Sequence, residues 1–376
     1  MLSTINHEWK AFEDLAENFA TRELSAKKEE NDRYPFGPFF DDVVEKAYEV
    51  GFMGINLPED LGGTDLGVGA LCAVLYSICQ QDASLGGILF TCAFSQEIIL
   101  ASNMKDILLG ITSNASNAGE FMVAFPVFSD PSEIEVLPGA ARRKNKHIIS
   151  GRLEYLTLGG LAAHAIIPAK VPGQKVYSLF LVELSDKGID LSEPVFSLGF
   201  HACPCVDVNL GNTHGELLGK EGKGQTYFEE VADKMSIAAS AISCGIMKGS
   251  LNEAITYAQE RYQGGRKIIN WSEVRMILAD MSLKASAAEM LIKSALKAME
   301  NNKPGWQVEP RTAALVVQDM ACSITTDGIQ VLGGYGYMKD YGQEKRFRDA
   351  KQAQALMGIV PMKKLRYFDI RTGLMA

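Results

Sequence analysis

No stretch of this 376-residue sequence stays apolar for the roughly 18 residues a membrane-crossing helix needs, so no transmembrane span is expected. There is no surplus of positive charge: the net charge of −9 argues against non-specific nucleic-acid binding and for solubility. The opening residues MLSTINHEWKAFEDLAENFA are acidic from the start and lack the cationic-then-apolar order of a secretory signal. No Cys-x-x-Cys pair occurs among the 7 cysteines, Cys72, Cys79, Cys92, Cys203, Cys205, Cys244 and Cys322. An odd, scattered set in mostly apolar surroundings reads as reduced, buried thiols of a cytoplasmic protein and excludes a disulfide framework. Cys203-Pro204-Cys205 has no matching second half, and the nearby His201 reads as structural, so no metal site is expected. No internal repeat or low-complexity linker is present.

What is present is an ordinary globular composition, 47% hydrophobic and 22% charged, with length for two or three domains. Residues 1–118 read as a helical domain: Trp9, Phe12, Leu15 and Phe19 keep a helical period, as do Val43, Val44, Ala47 and Val50. Between them Asn31 to Pro38 forms a breaker cluster. Residues 119–228 carry short strand-like runs at 121–125, 147–151, 165–169 and 176–182, which predict a middle antiparallel β domain. Residues 229–376 return to helix, at 232–261, 271–300 and 308–332, and with 344–370 complete a four-helix bundle. The expected fold is α+β, with its strands segregated.

The most informative stretch is Asp327 to Gly358, DGIQVLGGYGYMKDYGQEKRFRDAKQAQALMG. It predicts a helix, a glycine turn at Gly333, Gly334 and Gly336, and a second, charged helix. Such a turn lets backbone approach a ligand closely, or it is only a turn. Gln330, the Gly333-Gly334 pair, Gly336-Tyr337, Asp340-Tyr341, Glu344-Lys345 and the run Arg348-Asp349-Ala350-Lys351 resemble the C-terminal signature of the acyl-CoA dehydrogenase family. Gly51-Phe52-Met53-Gly54-Ile55 leading to Pro58-Glu59 and Gly62-Gly63 resembles the family's early turn.

The resemblance implies FAD, an acyl-CoA or acyl-carrier substrate, electron-transfer flavoprotein as electron acceptor, and a dimer or homotetramer. Ile148 to Gly160 resembles the strand whose aromatic and threonine touch the flavin ring, here Tyr155 and Thr157. As bare chemistry, those two side chains share one strand face and could hold a planar ring or form a core pair. Ala124 to Asp130 replaces the family's T-E-P-x-A-G-S-D, with Ala124 and Phe125 standing for its threonine and glutamate; Val123, just before it, and Ser129 within it are the cofactor contacts the resemblance implies. Glu260-Arg261 resembles the motif whose arginine clasps FAD across a subunit interface, joined by Gln330, Gly333 and Gly334, although Gly264 stands for its phenylalanine.

The family's catalytic bases are missing. The glutamate that removes the substrate's alpha proton lies six residues past the motif's lysine, and this position is Met357, whose thioether cannot accept a proton. The alternative glutamate, two residues after Asp233, is Met235, followed by Ser236 in place of arginine. Asp82 is then the candidate relocated base, or a helix cap. Gly86, beside Gly87, implies either a wide substrate pocket shared with Met235 and Met357, suited to branched or cyclic acyl groups, or close helix packing. Three functions follow. The chain is an FAD-dependent dehydrogenase of an unusual acyl-CoA, an acyl-CoA-binding flavoprotein performing elimination, ring opening or oxygenation, or a non-catalytic subunit completing the FAD site of an active paralogue.

Overall fold

The computed structural model describes residues 8–25, 28–33, 40–144 and 146–374; from residue 34 on, the expected breaker cluster lies outside them. Helix α1 (Glu8–Phe19) buries Trp9, Ala16 and Phe19, as its periodicity requires. The short helices α2 (Lys28–Asn31) and α3 (Glu45–Glu49) lead to α4 (Gly67–Ile78) and α5 (Ala83–Ala101). Among the described residues α5 alone is long and apolar enough to cross a membrane, yet 94% of its apolar window is buried inside the protein, which makes it a core helix. Helices α6 (Lys105–Asn114) and α7 (Ala118–Phe121) close the helical region.

The sheet that follows comprises β1 (Val123–Ala124), β2 (Gly139–Arg143), β3 (Lys146–Thr157), β4 (His164–Ala169), β5 (Ser178–Glu183), β6 (Ile189–Leu191) and β7 (Cys205–Leu218). Its order is β1-β4-β5-β7-β3-β2, with β6 also on β7. All pairings are antiparallel except β1 with β4, a departure from the expected antiparallel domain. The spine of the sheet, β7, pairs with β3, β5 and β6; its Gly211 and left-handed Asn212 interrupt the alternation that would have marked it as one strand.

The remaining helices are α8 (Gly224–Glu260), α9 (Ser272–Glu300), α10 (Val308–Leu332), α11 (Gln343–Ala353) and α12 (Val360–Thr372). Helix α8 packs against α4, α5, α9, α10 and α11, which explains its unbroken buried run from Met235 to Met247. A hairpin of β8 (Tyr262–Gln263) and β9 (Arg266–Lys267) joins α8 to α9. Where α5, β1 and α8 meet, Phe125 stacks on Phe94 at 5.5 Å and on Phe228 at 6.2 Å.

Candidate functional site

Two recesses and one sealed crevice hold most of the residues singled out in the sequence. The first recess, about 780 Å³, lies at the end of the bundle where α8, α9 and α10 terminate or begin. Arg261, Gln330, Gly333 and Gly334 all line it, so motifs distant in sequence converge. Helix α10 stops because Gly333 takes a left-handed φ of 58°, and a Cβ on Gly333 or Gly334 would meet nothing within 4 Å. The backbone there is bare toward the recess. The Arg261 guanidinium sits 5.3 Å from the centre of the Tyr335 ring, and its buried Nε has no hydrogen-bond partner. A guanidinium and open glycine backbone suit an anionic diphosphate. Trp271 and Tyr335, which the sequence reasoning missed, also line the recess.

The crevice expected to receive the flavin ring is closed. Val123, Ala124, Phe125 and Thr157 have no exposed surface, although protein atoms alone surround them. Phe125 and Thr157 exchange main-chain hydrogen bonds of 3.2 Å in both directions, and the Thr157 hydroxyl lies 3.4 Å from Cys205 Sγ. A bulge between Leu153 and Leu156, with Tyr155 at a φ of 60° and its N–H donated to Asp207, interrupts the alternation on which a shared face for Tyr155 and Thr157 rests. Ser129 stands half-buried in the turn before Asp130 and lines neither recess. These residues do not fit an isoalloxazine ring.

The two methionines at the expected base positions differ in access. Met235 is fully buried within α8. Met357 has a left-handed φ of 62°, and its N–H donates to the Val127 carbonyl at 2.7 Å. Its side chain borders a second recess of about 480 Å³, floored by Phe228, Ala232, Leu315 and Met362 and rimmed by charge. There Arg311 binds Asp233 and Glu229, both at 2.5 Å. Burial raises the pKa of Asp130 and Glu133 and pulls Lys363 down to about 8. Lys363 Nζ donates to the carbonyls of Gln354 and Leu356 and to Gln318 Oε1.

Asp82 and Gly86 line neither recess. Asp82 caps α5 by accepting the Ser84 N–H at 2.7 Å, and the same oxygen receives Lys345 Nζ at 3.3 Å. Lys345 also binds Asp349 at 2.6 Å, and Asp349 accepts the Phe200 N–H. Burial works against the Lys345 charge, and the neighbouring Asp349 and Asp82 more than offset it, raising its pKa. Lys345, Arg348 and Asp349 therefore form an ionic frame beneath α5, in which Arg348 pairs with Asp32 and Glu344. A Cβ on Gly86 would come within 2.2 Å of Cys79 Sγ, so the glycine serves close helix packing and opens no pocket.

The 7 cysteines form no disulfide, and all but Cys322 are fully buried. No group of three potential metal ligands occurs among the described residues.

Comparison with known proteins matches residues 6–102 to the acyl-CoA dehydrogenase N-terminal domain and residues 222–359 to its C-terminal domain. The chain is 26% identical to a subunit of the caffeyl-CoA reductase-Etf complex of Acetobacterium woodii, over 91% of each chain. It is 28% identical to cyclohexane-1-carbonyl-CoA dehydrogenase of Geobacter metallireducens, over 86% of this chain and 87% of that one. The structure of butyryl-CoA dehydrogenase from Megasphaera elsdenii superimposes with a TM-score of 0.87 over 97% of this chain and 98% of that one, at 22% identity.

Proposed function

Because the chain belongs to the acyl-CoA dehydrogenase family, whose members are FAD-binding acyl-CoA oxidoreductases, we propose that it serves as a non-catalytic subunit of a hetero-oligomer of that family. In this reading it contributes Arg261, Gln330, Gly333 and Gly334 to hold the FAD of an active partner subunit and holds no flavin ring of its own. One observation carries the proposal. The clasp residues line an open recess, whereas Val123, Thr157 and Met235 are sealed by the chain's own atoms. A partner that keeps the family's glutamate supplies the base for the assembly. The Acetobacterium relative is named for an Etf complex, which supports electron-transfer flavoprotein as the assembly's acceptor, and the Geobacter relative's name supports a cyclic acyl-CoA as its substrate.

The test is the FAD content per chain, measured after denaturation, of the full chain purified alone and co-expressed with a paralogue that retains the glutamate. The expected result is little FAD alone and one FAD per pair in the mixed assembly. A yellow homo-oligomer bleached by an acyl-CoA would overturn the proposal.

A second reading is favoured by the recess beside Met357: an acyl thioester binds there and undergoes a step other than dehydrogenation. Binding of an acyl-pantetheine thioester, which lacks the adenosine diphosphate moiety, to the isolated chain by calorimetry separates the two, since the subunit reading expects none.

A further inference from the structure

We propose that Trp271 is the aromatic wall of the bundle-end recess and packs against the purine of an adenosine diphosphate moiety. The inference rests on the reading of that recess as a nucleotide clasp and adds a residue no motif marked. A Cβ on Gly264 would fall 2.9 Å from Trp271 Cζ2, closer than carbon atoms tolerate. The indole thus occupies the space that a side chain at position 264 would take.

The ring is held rigidly before any ligand arrives. Gly264 and Gly265, at φ of 63° and 84°, fold the hairpin back on itself, and Trp271 Nε1 donates to the Gln263 carbonyl at 3.3 Å. From the same hairpin, the Arg266 guanidinium lies 3.6 Å from the centre of the indole. Tyr335 lines the recess as well, backed by Tyr257 at 6.3 Å and Tyr341 at 5.4 Å. Gly333 and Gly334 present bare backbone to the same recess, and Arg261 carries the unpartnered Nε. An aromatic face for the base and a guanidinium with open backbone for the diphosphate are the complementary parts of one ligand. Restrained aromatic rings lose little freedom on binding, which favours this arrangement over a flexible side chain at position 264.

The adenosine diphosphate moiety belongs to both FAD and coenzyme A, and the experiment separates them. The full-length chain is titrated with ADP, FAD and coenzyme A by calorimetry, with tryptophan emission followed in parallel. ADP is expected to bind and to quench emission. Trp271→Leu should weaken ADP binding about tenfold, and Trp271→Phe, which keeps a ring, should retain affinity within about threefold while abolishing the quench. Far-ultraviolet circular dichroism confirms that both variants are folded. If Trp271→Leu binds ADP as tightly as the wild type, or if ADP does not bind at all, the inference fails. Binding of coenzyme A but not FAD, with the same Trp271 dependence, would uphold the role of Trp271 and overturn the FAD-clasp reading.

Discussion

The backbone of Met357 is hydrogen-bonded directly to that of Val127, amide to carbonyl, at 2.7 Å. This contact holds Met357, at the position expected to carry the family's base, against Val127 through main-chain atoms. Substituting the side chain leaves the bond in place. Met357→Glu is therefore expected to restore neither flavin content nor bleaching by acyl-CoA in the isolated chain; flavin fluorescence of the denatured protein and an anaerobic spectrum check this.

Phe125 fills the crevice and stacks on two further phenylalanines. Truncation to Ala should destabilise the chain by about 3–5 kcal/mol, because the lost contacts and the residual cavity both count. Urea unfolding measures it. Loss below about 1 kcal/mol would mean the crevice is loosely packed and able to admit a ring.

Asp82→Asn separates a structural from a catalytic role. Asn keeps the cap on α5, and Lys345 keeps Asp349, so the expected loss is about 2 kcal/mol of stability from the weakened charge-assisted bond. ADP binding should be unchanged.

His201 makes stability depend on pH. Nδ1 faces the Asp32 carbonyl at 3.0 Å and Nε2 faces the Ser197 carbonyl at 2.9 Å, an arrangement satisfied when both nitrogens carry protons. Burial lowers its pKa, but the hydrogen bonds and charge of Asp32 outweigh burial and raise it above the ordinary 6.5. The stabilisation is thus fully present below 6.5 and is lost as pH rises through the raised value. Urea midpoints should fall between about pH 6 and pH 9 in the wild type and fall less in His201→Gln.

Gly334→Ala tests the bare backbone. A methyl group there meets no atom within 4 Å, so stability should stay within about 0.5 kcal/mol while ADP binding weakens. Unchanged binding would place the nucleotide away from the glycine turn.

Much of this was legible in the sequence. The helical periods at Trp9 to Phe19 and from Val308 to Leu332 became helices because each presents one apolar stripe to a core, and the motif spacing brought Arg261 beside Gln330 and Gly333. What stayed hidden depends on through-space packing. Asp82 reads as a cap or a base until Lys345, far along the chain, is seen beneath it. Gly86 reads as space until Cys79 occupies it. The bulge at Tyr155 shifts a strand whose residue types alone predict regular alternation. Trp271 was silent because its partner is a missing side chain.

Helix α5 carries a consequence for synthesis of the chain. It is mostly apolar and buried almost all round, and its covering includes α8 and α11, which lie much later in the sequence. A nascent chain emerging from the ribosome exposes this greasy rod until the stretch from Gly224 onward has been translated and can fold over it. Fragments ending before α8 should aggregate.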